Sequence, residues 1–66
     1  MADDGGLDGL NRLRHDLRTP LTVVIGFAEL LASDREFSDE ARRDYAGRVL
    51  DAGYEIRELI DAARLD

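Results

Sequence analysis

Residues 10–31, "LNRLRHDLRTPLTVVIGFAELL", decide the fold. Leu10, Leu17, Val24 and Leu31 recur every seven residues, and Leu21 and Ala28 interleave four residues after Leu17 and Val24. That alternation is the seam of a helix that packs in coiled-coil fashion. Leu13 and Phe27 widen the apolar stripe. The same stretch holds the only histidine, His15, and the only proline, Pro20. Pro20 admits two readings. With Thr19 as N-cap and Pro20 at the first helical position, a new helix would start here, and Arg18, preceding a proline, is pushed away from helical angles. Alternatively, Pro20 interrupts a helix already under way. The seven-residue phase passes through position 20 without a slip, which favours one continuous, kinked helix. A proline there cannot donate to the carbonyl of Asp16 and crowds it, at about 3 kcal/mol, so packing along the seam has to offset the loss.

Working outward, residues 1–6, "MADDGG", read as a flexible lead-in, and the apolar pattern begins at Leu7. Asp3, Asp4 and Asp8 suit the positive end of a helix dipole. On the other side, "SDREFSDE" (33–40) breaks the periodicity. It predicts a turn over 34–38 in which Phe37 folds back onto the helix ends. Ser38 is the expected N-cap of a second helix, with Asp39 and Glu40 in its first turn; Ala41 rules out a capping box.

The second helix is expected over about 39–64. Tyr45, Val49, Ala52, Ile56, Leu59 and Ala63 form its seam, flanked by Ala46, Leu50, Gly53 and Ile60. Asp39–Arg43, Asp44–Arg48 and Arg57–Asp61 are spaced as i,i+4 ion pairs, each worth a few tenths of a kcal/mol. Gly47 and Gly53 each cost about 1 kcal/mol relative to Ala inside a helix, or mark close backbone approach. The expected fold is all-α: two helices of about 25 residues, roughly 37 Å each, in an antiparallel hairpin. Both apolar faces are wider than one partner helix covers. Two hairpins therefore pair as a two-fold homodimer, a four-helix bundle.

Composition excludes several classes. A chain of 66 residues buries little surface alone. It has no Cys and one His, so disulfides and structural zinc are unavailable. Fifteen acidic residues against nine basic ones, all Arg, give a formal charge of -6. That is a poor match to nucleic acid. No apolar run reaches the roughly 20 residues that span a bilayer, the start is acidic where a signal peptide would be basic, and the exposed faces lack the Lys/Arg excess of a membrane-surface helix. The expected location is cytoplasmic, without direct membrane contact, although a parent protein anchored upstream is compatible.

With the seam fixed, His15, Thr19, Thr22, Gly26 and Glu29 fall together on one outward stripe. His15 is then an exposed imidazole on a rigid helix, with a hydroxyl one turn away. Taken alone, such a residue is usually an idle surface histidine.

The stretch "HDLRTPL", His15 to Leu21, resembles the H-box of sensor histidine kinases: His, an acidic residue, an apolar residue, a basic residue, Thr or Asn, Pro, Leu. All seven positions fit, and the helix–turn–helix around them fits too. The unit it resembles is the dimerisation and histidine phosphotransfer domain. That resemblance implies roles. His15 is the phosphoacceptor, an imidazole with a free lone pair at neutral pH. Asp16 orients the ring and takes its other proton; otherwise it is a solvated charge. Thr19 positions water for removing phosphate from a partner's aspartate; otherwise it is the N-cap considered above. Arg18 is a phosphate contact or a salt-bridge partner, and Pro20 a gating bend or a structural kink. A response-regulator receiver domain would dock on Thr22, Val23, Gly26, Phe27, Arg42 and Arg43.

The resemblance also implies an ATP-binding kinase domain with Asn-, Gly- and Phe-containing boxes. Nothing in these residues resembles one, and there is no Gly-rich phosphate loop. No cofactor or metal is expected on this chain; ATP and Mg²⁺ belong to the kinase domain or, for Mg²⁺, the receiver. Two readings stay open. One is the phosphoacceptor domain of a two-component kinase. The other is a kinase-less helical dimerisation module of another signalling protein, with His15 idle or serving only in phosphorelay.

Overall fold

A computed structural model describes residues 4–63, with side chains from residue 8 onward. Helix α1 spans Asp4–Ala32 and helix α2 spans Asp39–Ala62. Lead-in residues 1–3 and the expected end of α2 at residue 64 lie outside the described residues. Residues 4–6 are the first turn of α1 instead of lead-in. The two helices pack as an antiparallel hairpin about 54 Å long.

α1 runs unbroken through Pro20. Thr19 is therefore a mid-helix residue and not a cap. The ring of Pro20 is buried to less than 2 % exposure, and across the hairpin Ala52 is 6 % exposed. These are the two buried residues among those described. Burying the three ring carbons returns roughly 2 kcal/mol at about 0.8 kcal/mol each, most of what the missing N–H and the crowded Asp16 carbonyl cost.

The α2 seam is the expected one: Tyr45, Val49, Ala52, Ile56, Leu59 and Ala63 are all buried or half-buried. In α1 the seam is centred differently. Leu13, Pro20 and Phe27, also seven apart, lie at its middle, with Leu17, Val24 and Leu31 on one side and Val23 and Leu30 on the other. Leu10, Leu21 and Ala28 are exposed in the single hairpin. The broad stripe is thus divided: half covers α2, and half has no cover within the chain.

The turn is built from short-range bonds. The Ser33 hydroxyl donates to the Leu30 carbonyl (2.7 Å) and accepts from Arg35 N–H (3.3 Å). Ser38 caps α2 by accepting from Ala41 N–H at 3.0 Å. Phe37 folds back edge-on against Tyr45, ring centroids 5.3 Å apart, and Tyr45 meets Phe27 of α1 at 5.5 Å. Arg35 lies over Phe37 and Arg48 over Phe27. This row of rings and guanidinium groups ties the turn to both helices; each aromatic pair contributes about 0.5–1.5 kcal/mol beyond the area it buries. Of the three expected i,i+4 pairs, Asp44–Arg48 forms, at 3.1 Å, with both side chains exposed. Its contribution is small.

Candidate functional site

Phe27 against Tyr45 fixes the antiparallel register. Each step along α1 is matched by a step back along α2, so Pro20 lies at the level of Ala52 and His15 at the level of Arg57. At 3.6 residues per turn, the residue after an inward one projects to one flank of the hairpin and the residue before it to the other. Because the helices are antiparallel, the same rule selects the same flank on both. Residues that follow inward positions are Arg14, Leu21, Ala28, Ala46, Gly53 and Ile60. Residues that precede them are Arg12, Thr19, Gly26, Asp44, Asp51 and Glu58. Apart from Arg14 at its open end, the first flank is apolar; the second is polar.

His15 is exposed and projects outward, toward the polar flank. Thr19, Thr22 and Gly26 share its outward stripe and are exposed as well. Among the described residues no side-chain hydrogen bond or ion pair holds the His15 ring or the Asp16 carboxylate. The imidazole is presented by a helix whose inner side is anchored one turn further on by the buried Pro20 ring. An exposed nitrogen nucleophile on a rigid rod, with free approach along the stripe, is what an in-line attack on a phosphorus atom needs.

The remaining expected site residues separate. Asp16 and Arg18 are exposed beside His15. The Thr22 hydroxyl donates to the Arg18 carbonyl at 2.8 Å. Val23 is half-buried at the edge of the seam. Phe27 is half-buried between Tyr45 and Arg48. Of the residues expected to dock a receiver on α1, Thr22 and Gly26 are exposed and Val23 lies at the edge of the seam. Arg42 and Arg43 are exposed, but by register they lie away from the His15 flank of their own hairpin. The apolar stripe already included Leu13 and Phe27, but sequence periodicity gave Pro20 no inward place, although Leu13, Pro20 and Phe27 carry the same seven-residue spacing.

Among the described residues no group of His, Asp and Glu is arranged to hold a metal ion, and no helix is long and apolar enough to cross a membrane. A helical hairpin that shows an unhindered histidine on its first helix and an uncovered apolar flank belongs to a definite class. The chain belongs to the family of His Kinase A (phospho-acceptor) domains, the phosphoacceptor and dimerisation unit of two-component sensor histidine kinases; the family model matches residues 10–65.

The similarity extends to particular proteins. The sensor histidine kinase YcbM of Bacillus subtilis is 36% identical over 53 residues, 80% of this chain and 17% of that protein. The sensor protein VanS of Enterococcus faecium is 33% identical over 61 residues, 92% of this chain and 16% of that protein. The cell-division control histidine kinase PdhS of Brucella anthropi is 33% identical over 54 residues, 79% of this chain and 5% of that protein. The chain thus spans less than a fifth of the length of these relatives. No solved structure matches it significantly.

Proposed function

We propose that His15 accepts the γ-phosphoryl group of ATP and passes it to an aspartate of a response-regulator receiver domain. A ring nitrogen of His15 attacks the γ-phosphorus, the bond from that phosphorus to the bridging oxygen breaks, and ADP leaves. Asp16 takes the proton from the other ring nitrogen, so that the phosphoramidate forms without a build-up of positive charge on the ring. In the second step the receiver carboxylate displaces the imidazole from phosphorus. Arg18, exposed on the same turn, steadies the phosphoryl oxygens. Thr19 orients the water that hydrolyses the receiver's acyl phosphate.

ATP and Mg²⁺ are supplied by an ATP-binding kinase domain of the parent protein, and the reaction takes place in the cytoplasm. The receiver docks along the outward stripe above His15, over Thr22 and Gly26, with Val23 and Phe27 behind it and Arg42 and Arg43 contributed from the bundle rim. The hairpin works as a homodimer, since its apolar flank has no cover within the chain.

The observation that carries this reading is the free, outward His15 on a helix anchored by Pro20. The test is to incubate the chain with a matched ATP-binding domain, ATP and Mg²⁺. Acid-labile, base-stable phosphate on the wild type and none on His15→Gln is the expected result. No label, with an ATP-binding domain proven active on another substrate, would leave a dimerisation module with an idle histidine.

A further inference from the structure

In a chain of net charge -6, arginines mostly stand near carboxylates. Arg12, Arg42, Arg43, Arg48 and Arg57 each have an Asp or Glu three or four residues away on their own helix, the spacing at which side chains meet. Arg14 and Arg18 have none. At those spacings Arg14 finds Leu10, Asn11, Leu17 and Arg18, and Arg18 finds Arg14, His15, Leu21 and Thr22. Two uncompensated guanidinium groups therefore bracket His15 on α1. Arg57 has Asp61 within reach, yet its guanidinium lies over the Tyr54 ring, 5.0 Å from the centroid, and makes no ion pair. Arg14, Arg18 and Arg57 are all exposed.

Arg14 follows the half-buried Leu13, and Arg57 follows the half-buried Ile56. Both turn to the apolar flank, at its open end and at the level of His15. Arg18 stands between that flank and the outward stripe. Asp16, Glu55 and Glu58 each precede an inward residue and lie on the polar flank, away from these arginines. The apolar flank, where Leu10, Leu21 and Ile60 are 43–51% exposed, is the face that a second copy covers in the homodimer. With the two-fold axis parallel to the helices, α1 borders α2 of the second copy and levels are kept. Arg57 of the second copy then rests against α1 at Arg14 and Arg18, beside His15. Three guanidinium groups meet within one turn, and the carboxylate nearest to them is Asp61 of the second copy, a turn nearer the open end. Like charges gathered at an apolar seam weaken the dimer, and a local conflict of this kind marks a functional site. A bound anion would relieve it.

We propose that Arg14 and Arg18 of one copy and Arg57 of the second copy form an anion cleft beside His15 that holds the polyphosphate chain of the ATP whose γ-phosphoryl group His15 accepts. Arginine suits this role, since it stays charged and presents a planar fork of N–H donors to phosphate oxygens. The Tyr54 ring holds the fork of Arg57 in place. The inference rests on the phosphoacceptor and homodimer readings above, and it completes each phosphoacceptor site with a residue from the other copy.

The test labels His15 with an ATP-binding domain, ATP and Mg²⁺, using Arg57→Gln, Arg14→Gln and His15→Gln, all good helix formers. Arg57→Gln is expected to take label several-fold more slowly than wild type, while its dimer, relieved of repulsion, is as tight as wild type or tighter at low salt. An arginine with a structural role alone would weaken the dimer on removal. Refolded together with His15→Gln, the Arg57→Gln chain should regain labelling, because in the heterodimer its His15 faces an intact Arg57. Arg14→Gln treated in the same way should stay slow, because Arg14 serves the His15 of its own helix. Wild-type labelling of Arg57→Gln would overturn the cleft, as would a slow Arg57→Gln chain that His15→Gln does not rescue. A wild type that takes no label from a domain proven active would instead remove the phosphoacceptor reading, and one that stays monomeric the homodimer reading; the cleft falls with either.

Discussion

Replacing Pro20 by Ala sets two large terms against each other, and their sizes decide the outcome. Ala restores an N–H donor to the Asp16 carbonyl and removes the crowding ring, a gain of about 3 kcal/mol. It also deletes two methylenes from a site less than 2 % exposed. At about 0.8 kcal/mol per methylene that costs about 1.6 kcal/mol, with a small further cost for the space left opposite Ala52. Ala52 is itself small and the helices can close on it, so the cavity term stays low. The net expectation is a more stable hairpin, by about 1 kcal/mol. For a chain of this size that raises the midpoint of thermal unfolding by several degrees. The assay is unfolding followed by far-UV circular dichroism, at one protein concentration for both chains because association contributes to stability. A variant less stable than wild type by more than about 1 kcal/mol would refute the reasoning: the ring would then be an essential wedge in the seam, and its presence in α1 would need no functional explanation. A more stable variant with slower phosphotransfer would mean that the bend is retained for function at the expense of stability.

Phe37→Ala should lower stability by about 1–2 kcal/mol, because the half-buried ring and its edge contact with Tyr45 are lost together, and near-UV circular dichroism from Tyr45 should weaken in parallel. Ser38→Ala removes the acceptor for Ala41 N–H and should cost about 1 kcal/mol, read in the same unfolding experiment. Gly26→Ala should stabilise the helix by up to about 1 kcal/mol, since nothing lies within 4 Å of the added methyl; if the receiver approaches closely there, phosphotransfer from His15 should slow while labelling of His15 is unchanged. Asp44→Asn breaks an exposed pair and should change stability by no more than a few tenths of a kcal/mol.

Much of the architecture is legible from spacing alone. The 4-3-4-3-4 seam of α2 needed no structural knowledge, because inward residues recur with the helix period and no polar residue intrudes. Ser38 was readable as a cap because Ser followed by Asp39 and Glu40 satisfies both the free N–H groups and the dipole. The α1 seam was less so. Its apolar stripe is wide enough to serve two partners, and spacing does not say which half faces α2. Proline marks a kink by its backbone chemistry, which says nothing of where its ring points; having no donor to satisfy, the ring is suited to burial. The stack of Phe37, Tyr45 and Phe27 depends on how the turn closes, which is set by three-dimensional contacts rather than by period. The two further ion pairs expected at i,i+4 show the limit of spacing for exposed charges, whose attraction barely exceeds the entropy of holding them. For the site, periodicity could place His15 outward, but only the H-box pattern gave it a chemistry.

The most direct measurement is to find the atom that carries the phosphate. After labelling by an ATP-binding domain, cleavage on the C-terminal side of arginine releases residues 15–18 as one peptide, in which His15 and Asp16 are the only side chains able to hold it. Base-stable, acid-labile phosphate on that peptide is the expected result, which identifies the imidazole and excludes the carboxylate. Phosphate found instead on the peptide beginning at Thr19, or a labelled His15→Gln chain, would contradict it.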